Sequence, residues 1–526
     1  MNKPLLVLLL LVPIHWACSD LEMGETFEPE PNYPWDQWSD THQGADTTLP
    51  EPEVELILKA PQAGKDYVFI ASTNLDAIAK IDARSLHIES IAVGRKPIVV
   101  RTQPHLNTAV VLNLGSADIH IVHAEAAGNV VRRVKTEPGM NRLDINPTGD
   151  YVIASFDPDA MESGDPMGNL QTIHLVRTTK GQETGLSLAV SLHVRDVLFT
   201  PSAPDLAYVV TDDYLHVIDM PAVLANPTAY DPGARVPLVD DHIASPDNRE
   251  VHLTADGHYC LISSAATSAI VMIENATGDK ALLPLDAPPT DLDLLPRGQG
   301  GVVVVRDTAQ VVLFHLPEAF SDPSTAHTIA VPDGIPFGQA LLTPDGRRAI
   351  VFTTALATAT LGEVDIAAGT LKPYRLGSGK VVKGAALSPG GRYVYVLHAA
   401  DATTGRPIDL LDGFSLVDLD SPTLFDKFFQ TDAAPSAVAF MPDDAHMVAL
   451  VNHAARDLRQ ALRLDLSTMV LKTENLGSPP LQVGTLPGAG RVYVAQRHPV
   501  GRISFIEVAT GVIQTVTGFE LNTLIR

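Results

Sequence analysis

Four carboxylates stand close together in the stretch SFDPDAMESGDPMGNLQ: Asp157, Asp159, Glu162 and Asp165. Oxygen ligands at that density could hold a hard cation such as Ca²⁺. The spacing departs from an EF-hand loop, because Met161 stands where a ligand belongs and Gly168 replaces the terminal Glu. A solvated acidic loop is the plainer expectation, with Ca²⁺ at residues 157–165 as its alternative. A second polar stretch, HAADATTGRPIDLLDG, holds His398, Asp401, Arg406, Asp409 and Asp412. Asn452, His453, Arg456, Arg497 and His498 stand in two later segments. Histidines converging from neighbouring units could bind a transition metal or move protons. Known catalytic signatures are missing from the sequence: there is no H-E-x-x-H, C-x-x-C, G-x-S-x-G or P-loop. GLSLA and GFSLV imitate a nucleophile elbow for three residues and then fail.

The elements that must position these residues are repeated. LDINPTGDYVIAS, ALLTPDGRRAIVFT, ALSPGGRYVYVLH and AFMPDDAHMVALVN share one plan: an alternating strand, a Pro turn and a Tyr/Val-rich strand. Proline presets φ for such a turn and the following glycine supplies the positive φ. The turn proline recurs as Pro61, Pro104, Pro147, Pro201, Pro296, Pro344, Pro389, Pro442 and Pro487, with Ala255 in the fifth slot. A third strand then ends at Asp82, His123, Arg177, Asp219, Glu274, His315, Asp365, Asp418, Asp465 or Glu507. A carboxylate there can accept from the next backbone N–H groups and close the turn, so these acids read as structural. His123 and His315 fall in the same slot without needing a metal.

Ten copies at a mean spacing of about 47 residues, each with four short strands, predict an all-β chain: a β-propeller of four-stranded antiparallel blades. One ring of ten is expected, within a range of seven to ten. Two five-blade rings, or fewer and longer blades, are the alternatives. Helix is confined to a short piece near MPAVLANP. The strand–turn–strand phrases, with the VID or EVD that follows, resemble the YVTN-type propeller repeats of lactonase-like and cytochrome-associated proteins. The resemblance covers residues 54–526 and implies the fold; on function it implies only a choice among binding, hydrolysis and redox partnership. The WD dipeptide is absent, since no Trp follows Trp38. In a propeller the loops between second and third strands share a face with the blade connections. That places Asp157, Asp159, Glu162, Asp165, His398, Asp401, Arg406, Asn452, His453, Arg497 and His498 together on a candidate binding face.

The N-terminus, MNKPLLVLLLLVPIHWACSD, has one Lys and an apolar run of about ten residues, too short to span a membrane and the size of a signal core. The sequence around Cys18 resembles a bacterial lipoprotein signal, with Ala17 and Cys18 matching the lipobox and His15 and Trp16 departing from it. Residues 1–17 are therefore expected to be removed and Cys18 lipidated; an ordinary secretory signal and a retained anchor are the alternatives. Ser19 after the cysteine is compatible with the outer membrane, the alternatives being periplasmic or secreted protein. Residues 18–53 read as a tether: from Ser19 to Leu58 there are eleven Asp or Glu, no Lys or Arg and five prolines. Tyr33, Trp35 and Trp38 interrupt it as an aromatic patch. Cys260, the second of two cysteines, has no credible partner.

A net charge of −25 argues against nucleic acid, which requires a basic surface. The leading functional expectation is a non-catalytic, envelope-anchored binding or scaffold module for a protein, peptide or glycan, with no cofactor. A lactonase-like propeller hydrolase, using metal-bound water or an acid–base pair at the central channel, is the first alternative. A partner subunit of a periplasmic redox protein is the second.

Overall fold

A computed structural model describes residues 55–125, 128–238, 246–296, 300–421 and 424–519. The signal, Cys18 and the tether lie outside the described residues.

Ten four-stranded sheets follow one another along the chain, and within each sheet the strands lie in sequence order. The first blade is built from Gln62–Ala63, Tyr67–Ser72, Ala77–Asp82 and Ile88–Ala92, and the tenth from Pro480–Leu486, Arg491–Gln496, Arg502–Glu507 and Ile513–Thr517. Second and third strands are almost wholly buried, as in Tyr67–Ser72 and Ala77–Asp82, whereas fourth strands such as Val470–Asn475 face solvent. First strands of successive blades approach one another, so they line the axis.

The ten expected third-strand slots fall in one register. Asp82 pairs with Tyr67, Asp365 with Arg348, Asp418 with Tyr393 and Asp465 with His446, each with the first residue of the second strand. The predicted turn closure is also present. Asp82 accepts from the N–H of Arg84 and Ser85 at 2.9 and 2.7 Å, and Asp465 from Ser467 and Thr468 at 3.0 and 2.9 Å. Asp219 instead caps a short helix, Met220–Ala225, accepting from the Ala222 N–H at 2.9 Å. That helix is the expected one; a four-residue helix at Glu318–Ser321 was not anticipated.

A second device recurs one turn earlier. Asn146, Thr254, Thr343 and Ser388 precede the turn position, and each side chain accepts from the first N–H of the second strand at 3.0 Å. The glycine of the turn is required by backbone geometry: Gly149, Gly257, Gly346 and Gly391 all have φ between +70° and +79°. In the ninth blade Asp444 takes that slot at φ +54°, a conformation Asp tolerates better than most residues.

Blades cohere through ten apolar cores, one per neighbouring pair. Phe414, for example, stacks on Tyr395 and Phe429 at 5.1 Å each and faces the ninth-blade residues Met447, Leu462 and Leu464. Sheets with two apolar faces cannot hide both alone, so each neighbour supplies a cover. The last core joins Val68, Ile70 and Ile81 to Tyr493, Ile503 and Phe505, which closes a single ring of ten. Among the described residues no strand crosses this seam. It is held by packing and by bonds such as Arg491 Nη1 to the Ala83 carbonyl at 2.8 Å. Cys260 is a buried free thiol in the core between the fourth and fifth blades, and burial pushes it up to about 12.

Candidate binding face and channel

The upper face carries the loops between second and third strands together with the blade connections. In the third blade that loop is long, and its four carboxylates turn to separate partners. Asp157 caps a single 3-10 turn by accepting from Asp159 N–H at 2.9 Å. Glu162 meets Lys59 Nζ at 3.4 Å, and Asp165 pairs with Lys96 and accepts from Glu162 N–H at 3.2 Å. Burial alone would raise the Asp165 pKa, but Lys96 and this N–H hold it below the ordinary value. The loop thus reaches across the second blade to the first.

The eighth-blade loop is fastened to itself. Asp401 caps a 3-10 turn through Thr403 N–H and receives Lys383 Nζ at 2.7 Å. Arg406 grips Asp409 through Nε at 2.6 Å and Nη2 at 2.8 Å, and Thr404 adds a hydroxyl at 2.8 Å. These contacts hold the Asp409 carboxyl at about 2, Arg406 being the principal cause. Lys380, 1% exposed, donates to the carbonyls of Ile408 (2.8 Å) and Leu411. Asp412 accepts the Ala400 N–H at 2.7 Å.

His398, expected on this face, lies beneath it. Its ring is fully buried, with Nδ1 donating to the Val381 carbonyl at 2.7 Å, so Nε2 accepts the Ser415 hydroxyl at 2.9 Å. Burial pushes it down to about 4, which keeps it neutral. Asn452 and His453 end a strand, pairing with Arg459 and Leu458. Arg456 donates to the Asp432 carbonyl at 2.7 Å. His498 accepts from Val500 N–H at 3.4 Å within its own turn. These side chains do not gather, and no three metal-ligating groups do so among the described residues.

Exposed apolar side chains are shared unequally between the two faces. Of ten strongly exposed large apolar side chains among the described residues, seven lie on the upper face: Ile57, Met161, Met167, Leu192, Leu356, Leu410 and Leu481. Only Phe425, Val470 and Val512 lie at the opposite face.

The channel wall holds a further set that the sequence reading passed over. Five and three residues before each turn position, blades two to six carry Val99, Arg101, Arg142, Asp144, Asp196, Leu198, Glu250, His252, Asp291 and Asp293. The same slots in blades seven to ten carry Gln339, Leu341, Gly384, Ala386, Ala437, Ala439, Gln482 and Gly484. One arc of the wall is therefore rich in titratable side chains and the other has none in these slots. Several of the charges clamp neighbouring blades. Arg101 Nε donates to the Leu143 carbonyl at 2.9 Å, Arg142 bridges Asp144 at 2.8 Å and Asp196, and Asp291 accepts the Ala340 N–H at 2.6 Å. Burial, reinforced by Asp293, raises Asp291 well above the ordinary carboxylate range. The signal was readable: a charge pair alternating with Leu or Val just before a turn.

No protein-family model matches the chain, and no curated protein does. Among solved structures it is similar to a eukaryotic initiation factor, with a TM-score of 0.51 at 11% identity over 79% of this chain and 96% of that one. That likeness shows the fold. A dihydro-heme d1 dehydrogenase NirN in complex with DHE matches at 0.42 and 10% identity, over 78% and 73% of the two chains. The Myceliophteria thermophila Cps50 (Swd1) β-propeller domain matches at 0.32 and 12% identity, over 60% and 96%.

Proposed function

We propose that the protein is a non-catalytic binding or scaffold module of a bacterial cell envelope, anchored at the outer membrane through lipid on Cys18 and presenting its upper face to a protein, peptide or glycan. The observation that supports this reading is the concentration of exposed apolar side chains on one face of a disc whose opposite face has few. Each such side chain gains by being covered, so a partner is favoured on this face over the other. The eighth-blade loop adds preorganisation, because Arg406, Asp409 and Lys380 fix its backbone before any partner arrives and little ordering cost remains for binding. The test is capture from solubilised envelopes on the immobilised full chain. Leu356→Asp with Leu410→Asp is expected to abolish capture, and capture that ignores both changes contradicts the reading. Mass spectrometry of the mature N-terminus checks the lipid on Cys18.

One observation favours a second reading, a lactonase-like hydrolase. Asp291, pushed up to about 7 by burial and by Asp293, would keep a proton near neutrality, as a general acid requires. Turnover of lactones or esters that disappears in Asp291→Asn, with the fold kept, would establish it. Full activity in that variant, or none in the parent, would dismiss it.

A further inference from the structure

We infer that the upper face carries, at the link between the ninth and tenth blades, a site for a phosphate monoester group, built from Arg459, Arg497 and Arg502. The inference goes beyond the binding role proposed above: it names a small anionic group and stands whether or not a larger partner also covers this face.

Residues 476–479 join the outer strand of the ninth blade, Val470–Asn475, to the inner strand of the tenth, Pro480–Leu486. Arg459 and Arg502 stand at the upper ends of the third strands of those two blades. Both guanidinium groups come to the same link. Arg459 Nη1 donates to the Gly477 carbonyl at 3.3 Å, and Arg502 Nη1 donates to the Ser478 hydroxyl at 3.4 Å. Arg502 also lies against Gly477, where a Cβ would fall 2.3 Å from its Nη2 and 2.7 Å from its Cζ. Gly477 is not among the residues with positive φ, so the packed guanidinium, rather than the backbone, calls for glycine there. Arg497 N–H donates to the Pro479 carbonyl at 2.8 Å, which sets a third arginine, exposed, at the far end of the link. The link itself is fixed: Leu476 N–H donates to the Arg459 carbonyl at 2.7 Å, and Ser478 N–H to Gln496 Oε1 at 3.0 Å.

The charges at this link do not balance. Among the described residues one carboxylate pairs with these arginines, Asp457 on Arg459 Nη2. Arg502 Nε is buried with no partner, so that guanidinium is held by packing on Gly477 and by the Ser478 bond rather than by an acid. Three guanidinium groups against one carboxylate leave two positive charges uncompensated. A phosphate monoester carries about −1.5 to −2 and offers three acceptor oxygens, whereas a carboxylate would leave one charge over. Guanidinium forks also match phosphate oxygens in pairs. The net charge of −25 opposes any anion at long range, but at physiological salt that field is screened beyond about 8 Å. Contacts at the link therefore decide.

Isothermal titration of the full chain at physiological salt tests this with inorganic phosphate, glucose 6-phosphate, glucose and acetate. Both phosphates are expected to bind at one site, acetate at least ten-fold more weakly and glucose not at all. Arg459→Gln with Arg502→Gln should weaken both phosphates at least ten-fold, with circular dichroism and thermal midpoint retained. Arg132→Gln, which removes an exposed arginine from the outer strand of the second blade, should leave both affinities unmoved. Gly477→Ala keeps every arginine but pushes the Arg502 guanidinium aside, and should weaken both phosphates several-fold. No saturable binding of either phosphate overturns the site. Binding that the double variant keeps, binding that Arg132→Gln weakens equally, or acetate held as tightly as phosphate also overturns it. Inorganic phosphate accepted with glucose 6-phosphate refused would mean a pocket for the free ion and overturn the monoester. Should the double variant fail to fold, Gly477→Ala decides, and unchanged phosphate affinity in it overturns the proposal.

Discussion

The two faces of the disc are built on different rules. On the lower face the turns obey one plan. A proline or its substitute sets the bend; in the third, fifth, seventh and eighth blades a side chain before it accepts from the next strand, and in several blades a carboxylate such as Asp82 or Asp465 closes the outer turn. On the upper face no such plan recurs. The third-blade loop leans on Lys59 and Lys96, the eighth-blade loop is tied to itself by Arg406 and Asp409, and other blades turn in a few residues. Local hydrogen bonding fixes the lower turns in each blade separately, so their residues repeat. The upper loops satisfy themselves by long-range contacts peculiar to each position, and that freedom lets one face specialise.

Five substitutions sharpen the contrast, from the largest effect to the smallest. Phe414→Ala empties a stacked position between two blades and should cost about 3–5 kcal/mol in denaturant unfolding, a loss both faces share. Arg406→Ala leaves the buried Asp409 short of its main partner and should cost about 2 kcal/mol. Hydrogen exchange is expected to localise that loss to residues 399–411. Asp465→Ala removes a lower-face turn cap, at a cost of about 1 kcal/mol, and should leave partner capture intact. Leu356→Asp and Leu410→Asp should move stability by no more than about 0.5 kcal/mol and yet remove capture.

Acid offers another way to probe the lower face. The Asp465 carboxyl is held at about 2, first by the Ser467 hydroxyl and then by the Thr468 N–H. Its folded pKa lies below the unfolded value of about 3.9. The turn's contribution is therefore complete above that unfolded value and is lost as pH falls towards about 2. Asp465→Ala should flatten this part of the stability–pH profile, and an unchanged acid limb would show that the cap contributes nothing.

How much the sequence disclosed follows the same division. The lower turns were legible because proline, glycine and carboxylate sit at fixed offsets in ten successive copies, and even His123, Arg177 and His315 kept the register. Closure of the ring was expected from the apolar faces, though not which residues make the seam. The upper face was legible only as a location. His398 looked like a loop residue, but a partner carbonyl at Val381 and the Ser415 hydroxyl draw it into the core, and no local pattern announces contacts so remote in sequence. The charged arc of the channel could have been found, since Arg142 with Asp144 and Asp291 with Asp293 occupy slots where an inner strand should be small or apolar. That pattern emerges only when all ten copies are aligned on their turns and compared position by position.

Site-specific photo-cross-linking from both faces in intact cells tests the binding face most directly. Probes at Leu356 and Leu410 above, and at Phe425 and Val470 below, are all exposed enough to accept the label. The account predicts a discrete adduct from the upper pair and none from the lower pair. Adducts from the lower pair alone, or equally from both, would contradict it.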